Sequence, residues 1–108
     1  MRLPPALAAS ATPRVLELLP EPPARVLELG FAGIHAVPLR LAGFEVVVVE
    51  PDAAHRARAR QRAGEAFAEV PEGPFDAVVV PDGVEPPPGV RTVVVVGQDG
   101  TVWSSGSS

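Results

Sequence analysis

The sequence lacks cysteine, lysine, asparagine and tyrosine altogether, and it has only one tryptophan and one isoleucine. The absence of cysteine excludes disulfide bonds, thiolate metal sites and cysteine nucleophiles. No apolar run approaches the roughly 18 residues that a membrane-spanning helix needs. The first residues also lack the charged segment and long apolar run of a signal peptide. We therefore expect a cytoplasmic protein that does not associate with membranes.

The residues that are present indicate one folded domain of 108 residues, since 46% of them are hydrophobic and 20% are charged. A chain of this length buries roughly two-thirds of the surface that it exposes when unfolded, which is enough for one core. The net charge of −4 argues against nucleic-acid binding, for which a basic domain is expected. All nine basic residues are arginine, and there are fourteen prolines and few thermolabile residues. This composition is typical of a thermophile, and the codon bias of a GC-rich genome is the alternative explanation.

The first 24 residues are rich in proline and alanine and are expected to form an N-terminal helical arm. Thr12 is a favourable N-cap, because its hydroxyl can accept a hydrogen bond from the first turn, and Pro13 suits the first helical position. A cluster of prolines then ends this helix. We expect the core over residues 25–103 and a flexible polar tail over residues 104–108.

Alternating strand and helix patterns follow the arm and predict an open α/β sheet. Runs of consecutive valines indicate strands that are buried on both faces, as in a parallel sheet. Residues 66–70 fit either a short edge strand or the end of a helix. The predicted strands are 25–29, 44–50, 75–80, 91–96 and 101–103, and the predicted helices are 34–42 and 53–63.

The last part of the sheet departs from this alternation. The ten residues 81–90 include four prolines and separate two predicted strands, so they cannot form an ordinary crossover helix. The turn at 97–100 is typical of a hairpin. The strand at 101–103 is therefore expected to return antiparallel to its neighbour.

A glycine turn and two acidic residues form the one pattern that points to a ligand. Gly30 follows the first strand, Glu28 lies two residues before it, and Glu50 closes the second strand. Glycine permits a tight turn and close approach of the backbone to a ligand, and the following helix offers free N–H groups. An acid at the end of the second strand can accept the hydroxyls of a ribose. In open α/β sheets such ligands bind beyond the carboxyl ends of the strands.

These residues resemble the core of class I S-adenosylmethionine-dependent methyltransferases, over about residues 24–96. Glu28 and Gly30 match the start of the family's glycine motif, and Glu50 matches its ribose-binding acid. The resemblance implies an α/β protein with a minimal three-layer Rossmann-like sheet, strand order (3)-2-1-4-5 and a C-terminal antiparallel strand. It also implies S-adenosylmethionine or a related adenosine compound as the ligand. The resemblance assigns this ligand to Glu28, Gly30, Phe31, Ala32, Gly33, Glu50 and Pro51.

Several departures from the family reduce what the resemblance implies for catalysis. Ala32 and Ile34 replace the second and third glycines, and isoleucine crowds the approach of a ligand. The family's third strand is shortened, and the helix between its fourth and fifth strands is missing. We therefore expect ligand binding without complete catalytic machinery, so that any methyl transfer depends on a protein partner. The alternatives are a dinucleotide fold, with Gly30, Ala32 and His35 in its glycine pattern, and a non-catalytic assembly module without a cofactor.

Other polar residues have simple structural interpretations. Glu28 fits a strand-end acid that binds loop amides as well as it fits a ligand contact, and Asp52 fits the N-cap of the following helix. His35 and His55 have no recognisable partner and are assigned to packing or to the surface. No residue is assigned a catalytic role, and no cluster has the spacing of metal ligands.

The arginines of the second predicted helix, at 56, 58, 60 and 62, spread around its surface. We interpret them as a solvated face whose positive charges balance the acids at 65, 69 and 72. An RNA-binding face is the weaker alternative, because aromatic residues between the arginines are lacking.

The last predicted strand carries the only tryptophan and contains no lysine, proline or charge to discourage pairing with another strand. Unpaired strand edges and uncovered apolar faces are normally blunted or paired in native proteins. We therefore expect a homodimer with Val102 and Trp103 at or near its interface.

Overall fold

The computed structural model describes residues 9–105, which contain five strands and three helices. No helix in this range is long and apolar enough to cross a membrane. Residues 1–8 of the expected arm and residues 106–108 of the expected tail lie outside the described residues. The elements are α1 (Thr12–Leu18), β1 (Arg25–Leu29), α2 (Ala36–Leu41), β2 (Glu45–Val49), α3 (Ala53–Ala63), β3 (Ala77–Pro81), β4 (Thr92–Val96) and β5 (Val102–Ser105).

The five strands form one mixed sheet in the order β2-β1-β3-β4-β5. The neighbours β2-β1, β1-β3 and β3-β4 are parallel, whereas β5 is antiparallel to β4. The predicted α/β sheet, mostly parallel with an antiparallel last strand, is confirmed. The edge strand considered at residues 66–70 is reduced to a single bridge between Phe67 and Val49.

Each face of the sheet carries a cluster of buried side chains. The first cluster includes Val15 of α1, Leu39 of α2 and Ala59 of α3, together with one face of the strands. The second cluster combines the other face with Phe67, Phe75 and Val90 from the connections between strands. Within residues 9–105 the three helices therefore cover the same face, and connections cover the opposite one. This arrangement is compatible with a Rossmann-like fold, but the described residues include no second layer of helices.

Arg25, at the start of β1, holds the connection that leads into β3. Its backbone N–H donates to Asp76 Oδ2 at 2.8 Å, and its Nε donates to Glu45 Oε2 at 2.8 Å. Its Nη1 donates to the Pro74 carbonyl at 3.1 Å, and the guanidinium lies 4.5 Å from the centre of the Phe75 ring. One side chain thus joins β1, β2 and the segment 64–76 before β3, which contains no helix.

The N-terminal helix differs from the prediction at its first turn. Ala11 is the N-cap of α1, and no side chain caps the helix. The N-cap role predicted for Thr12 is wrong, because its hydroxyl contacts His35, which is 23 residues away. Val15 and Leu19 are buried in the first cluster, so α1 is part of the core.

The C-terminal strand is longer than predicted. β5 extends to Ser105, two residues into the segment expected to be a flexible tail. Its pairing explains the extension, because Ser104 and Ser105 lie opposite Val94 and Val93 of β4.

Candidate functional site

The glycine turn lies between β1 and α2, at the carboxyl end of β1, which pairs with β2 on one side and β3 on the other. Gly30, Ala32 and Gly33 all have positive φ angles, of 84°, 53° and 78°. A Cβ atom on Gly33 would lie 3.3 Å from the carbonyl oxygen of Ala59. Glycine at this position therefore lets α3 pack directly against the backbone of the turn.

Glu28 is fully buried on β1, between residues of the second cluster at 27 and 29, so its side chain faces the helices. Its Oε2 accepts a hydrogen bond from the His35 backbone N–H at 2.6 Å. Burial raises the pKa of Glu28 to about 7, although the backbone amides of His35 and Gly33 act in the opposite direction. Its other oxygen, Oε1, has no hydrogen-bond partner among the described atoms. Glu28 thus has the contact expected of a strand-end acid that binds loop amides.

Glu50 is also buried, with 1% of its surface exposed. Its Oε1 accepts from the Ala32 N–H at 3.2 Å, and its Oε2 accepts from the Asp52 N–H at 3.3 Å. The backbone N–H of Glu50 donates to the Phe67 carbonyl at 2.8 Å. Glu50 therefore joins the glycine turn to the end of β2, which places the acid and the turn side by side as the sequence predicts.

The seven residues assigned to a ligand from the sequence come together at this rim, but most are inaccessible. Gly30 is half-buried and Pro51 is exposed. The remaining five are buried: Glu28, Phe31, Ala32, Gly33 and Glu50. The turn backbone is engaged as well, because Arg62 donates to the Ala32 carbonyl at 2.9 Å. In this arrangement the protein's own groups contact most of the atoms that would hold a ligand.

His35 lies beneath the turn and is completely buried. Its Nδ1 is 2.8 Å from Thr12 Oγ1, and its ring meets the Phe31 ring edge-on at 4.8 Å. Burial lowers the pKa of His35 to about 4, so the imidazole is neutral at physiological pH. Its Nε2 has no partner among the described atoms. The assignment of His35 to packing agrees with these contacts, but Thr12 was missed as its partner because no local pattern joins positions so far apart.

The arginines near the site bind backbone carbonyls. Arg56 donates to the Glu50 and Pro51 carbonyls at 3.1 and 3.0 Å. Arg60 donates to the Ala66 carbonyl at 3.4 Å. Arg58, Arg60 and Arg62 are exposed, as expected of a solvated face. The predicted pairing with Glu65, Glu69 and Glu72 is not seen among residues 9–105, where Arg56, Arg60 and Arg62 bind carbonyls instead. A guanidinium carries several donors and can satisfy carbonyls that strand and helix ends leave unpaired.

Asp52 begins α3 as the sequence predicts. Its Oδ2 accepts from the His55 N–H at 2.9 Å, which is the hydrogen bond of an N-cap. The same oxygen lies 2.5 Å from His55 Nδ1. Both side chains are partly exposed. Asp52 therefore has a structural role next to the rim.

The other part of the rim, beyond β3 and β4, is an open depression. It is lined by Asp82, Gly97, Gln98, Asp99, Thr101 and Trp103. Asp99 accepts hydrogen bonds from the Thr101 hydroxyl and backbone N–H at 2.6 and 3.1 Å, and these bonds lower the pKa of Asp99. Residues 9–105 contain no group of three side chains that could hold a metal ion.

Comparison with known proteins adds no family assignment. A scan against protein-family models finds no match to this chain, and a search of curated proteins finds none either. The function is therefore inferred from the geometry of the rim and of the sheet.

Proposed function

We propose that the chain is a non-catalytic Rossmann-like assembly module whose glycine turn has a structural role. The observation that carries this proposal is the burial of Glu28 and Glu50 against backbone amides of the turn and its neighbours. An adenosine ligand would have to compete with these amides for three of the four carboxylate oxygens, and the fourth, Glu28 Oε1, is buried. The residues present do not fit such a ligand without an exchange of hydrogen-bond partners.

The fold in this proposal is a Rossmann-like sheet related to that of class I methyltransferases but with one layer of helices replaced. Three features support this fold: the strand order β2-β1-β3-β4, the glycine turn after β1 and the acid at the end of β2. The connections at 68–76 and 82–91 take the place of helices on the second face. Such a module supplies a stiff sheet whose edges and surfaces contact other proteins.

The two acids stabilise this module in different ways. Glu28 accepts an amide hydrogen bond just before α2, at the helix end where N–H groups lack partners within the helix. Glu50 holds the turn and the β2 end together through one bond to each. Since both carboxylates are used inside the protein, the turn keeps its shape without a ligand.

A direct test is titration calorimetry with thermal denaturation, using S-adenosylmethionine, S-adenosylhomocysteine and NAD separately at millimolar concentration. We expect no saturable heat and no rise in Tm with any of them, because three of the four carboxylate oxygens of Glu28 and Glu50 already have amide partners and the fourth, Glu28 Oε1, is buried. A saturable heat accompanied by a rise in Tm would overturn the proposal.

The structural role of Glu50 is tested by Glu50→Gln in the absence of any ligand. One carboxylate oxygen becomes an NH₂ group facing a backbone donor, so we expect the free energy of unfolding to fall by about 1–2 kcal/mol. Asp52→Asn is the matched control, because it makes the same acid-to-amide change two residues away. Asparagine caps helices about as well as aspartate, so this variant should stay within about 0.5 kcal/mol of the parent. Urea denaturation measures both, and equal stabilities of the two variants would contradict the role of Glu50.

A second candidate function, binding of S-adenosylmethionine or a related adenosine compound, is favoured by one observation. Glu50 lies beside the turn at the carboxyl ends of β1 and β2, and its bonds of 3.2 and 3.3 Å are at the long end of the hydrogen-bond range. A ribose hydroxyl could replace an amide there. In that case the calorimetry gives a saturable heat, and Glu50→Gln weakens binding about tenfold or more while Asp52→Asn does not.

A further inference from the structure

The outer edge of β5 presents backbone groups in a defined pattern. The Gly97 N–H donates to the Thr101 carbonyl at 2.7 Å, and Trp103 lies opposite Val95. Hydrogen-bonded and non-hydrogen-bonded pairs alternate in an antiparallel ladder, so the backbone groups of Thr101 and Trp103 point toward β4. Those of Val102 and Ser104 therefore point away from the sheet.

An independent contact on β4 supports this assignment. The Val96 carbonyl accepts from the Asp82 N–H at 2.9 Å, on the β3 side of the strand. Val96 is the residue opposite Val102, so this pair does not exchange hydrogen bonds. In the described range no strand pairs with the outer edge of β5. Two N–H donors and two carbonyl acceptors, from Val102 and Ser104, face outward there.

The opposite edge of the sheet is protected in a way that β5 is not. On β2 the Val48 carbonyl accepts from the Phe67 N–H at 2.9 Å, and the Val46 carbonyl accepts from Arg40 Nη2 at 3.0 Å. A guanidinium and a short connection thus occupy the β2 edge. β5 carries no charged side chain and no proline, which are the usual means of protecting an edge.

We propose that β5 pairs antiparallel with β5 of a second copy, about a two-fold axis that passes beside Trp103. This register places Val102 opposite Ser104 of the partner subunit, and Ser104 opposite the partner's Val102. It satisfies all four outward-facing backbone groups, and the same edge serves both copies, as two-fold symmetry requires. The inference rests on the proposed function, because it names a second copy as the partner of the assembly module.

The side chain at the axis supports the same register. Trp103 lies opposite Val95 on the face that connections cover, and it remains 39% exposed. In this register it lies directly opposite the partner's Trp103 in a non-hydrogen-bonded pair, where facing side chains are closest. A Cβ on Gly97 would lie 3.0 Å from Trp103 Cζ3, so glycine there leaves room for the indole ring. Pairing of two such rings extends the second cluster across the axis.

Sedimentation equilibrium of the full chain at micromolar concentration tests the interface. We expect a dimer of the 11.2 kDa chain. Ser104→Pro removes an outward-facing N–H and leaves the β4–β5 bonds in place, so it should give a monomer with an unchanged circular dichroism spectrum. Ser104→Thr keeps the N–H and is the matched control, which should remain a dimer. Trp103→Ala should raise the dimer dissociation constant at least about tenfold.

A cysteine at the axis tests the register. Across a non-hydrogen-bonded pair the two Cα atoms are about 4.5 Å apart, within the range of a disulfide. Trp103→Cys, the only cysteine in its chain, should therefore form a disulfide-linked dimer on mild oxidation. Ser104→Cys should not, because its two copies would lie about 8–9 Å apart, from the strand rise and spacing.

A wild-type chain that stays monomeric, or a dimer that Ser104→Pro leaves intact, would overturn the inference. Equally rapid oxidation of the two cysteine variants would overturn the register. These outcomes are separate from the ligand titrations. A monomer that binds no adenosine compound overturns only the second-copy assignment, whereas a dimer that binds one overturns only the proposed function.

Discussion

The Glu28→Gln and His35→Gln variants are expected to change stability with pH in opposite directions, each by about 3 kcal/mol across its range. Burial raises the pKa of Glu28 from 4.5 to about 7, so between these values the folded state holds a proton that the unfolded state has lost. The contribution of Glu28 to stability is therefore complete below pH 4.5 and is lost as the pH rises to about 7.

For His35 the change of stability with pH has the opposite sign. Burial lowers the pKa of His35 from 6.5 to about 4, so between these values only the unfolded state is protonated. Its contribution is complete above pH 6.5 and is lost as the pH falls to about 4. Between pH 4.5 and 6.5 the two groups cancel, because folding moves a proton from the histidine to the glutamate with no net uptake.

In each single variant, the pH dependence of stability should come from the one titratable group of this pair that remains. In Glu28→Gln, stability should rise with pH from about 4 to 6.5, whereas in His35→Gln it should fall from 4.5 to about 7. Urea denaturation followed by circular dichroism at several pH values measures both slopes. The double variant is the control, and its profile should run parallel to the wild type between pH 4.5 and 6.5. Single variants that both keep the wild-type slope would contradict the assignment.

Gly33→Ala is expected to lower the free energy of unfolding by about 2–5 kcal/mol. Two causes add, since Gly33 has a φ of 78° and its added Cβ would press against the backbone of α3 at Ala59. The left-handed conformation costs an L-residue about 1–2 kcal/mol, and overpacking adds about 1–3 kcal/mol. The contact is with backbone, so no side-chain rotation can relieve it.

Gly83→Ala separates the two causes. Gly83 has a φ of 90°, but a Cβ at this position would have no neighbour within 4 Å. This variant should lose only the conformational cost of about 1–2 kcal/mol. Equal losses for the two variants in thermal or urea denaturation would show that α3 does not restrict the turn at Gly33.

Most strands and helices could be predicted because their signals are local, whereas the strand order came from the family resemblance. Valine runs mark strands buried on both faces, and a glycine after the first strand marks the turn before a helix. Asp52 was correctly predicted as an N-cap, since capping depends on its own helix. The spacing of Glu50 from Gly30 also predicted their proximity, which the bond to Ala32 confirms.

The direction in which a buried carboxylate points could not be predicted in the same way. Glu28 was equally compatible with a ligand contact and with a loop contact, because sequence spacing does not show which amide donors lie nearby. The answer depends on how α2 begins, where His35 offers an N–H 2.6 Å from Oε2. The pairing of His35 with Thr12 likewise depends on α1 packing near α2, which no local pattern encodes.

The residues that cover the second face of the sheet could not be predicted from the sequence either. The prolines in 81–90 excluded a crossover helix there, yet the resemblance still implied a minimal three-layer sheet. In the described residues Phe67, Phe75 and Val90 fill this face, and Arg25 holds the connection before β3. Such contacts join residues up to 51 positions apart, so helical and strand periodicity carries no sign of them.

Several arginine–carbonyl bonds are contacts that a lysine could not replace. Arg40 donates to the Ala63 carbonyl at 2.7 Å and to the Val46 carbonyl at 3.0 Å, so one planar fork joins the end of α3 to β2. A lysine ammonium on its single stem cannot reproduce that fixed geometry. Because the acceptors are neutral peptide groups, these bonds do not depend on paired opposite charges. Dissolved ions therefore have little to screen, and this part of the fold should tolerate changes in ionic strength that weaken surface ion pairs.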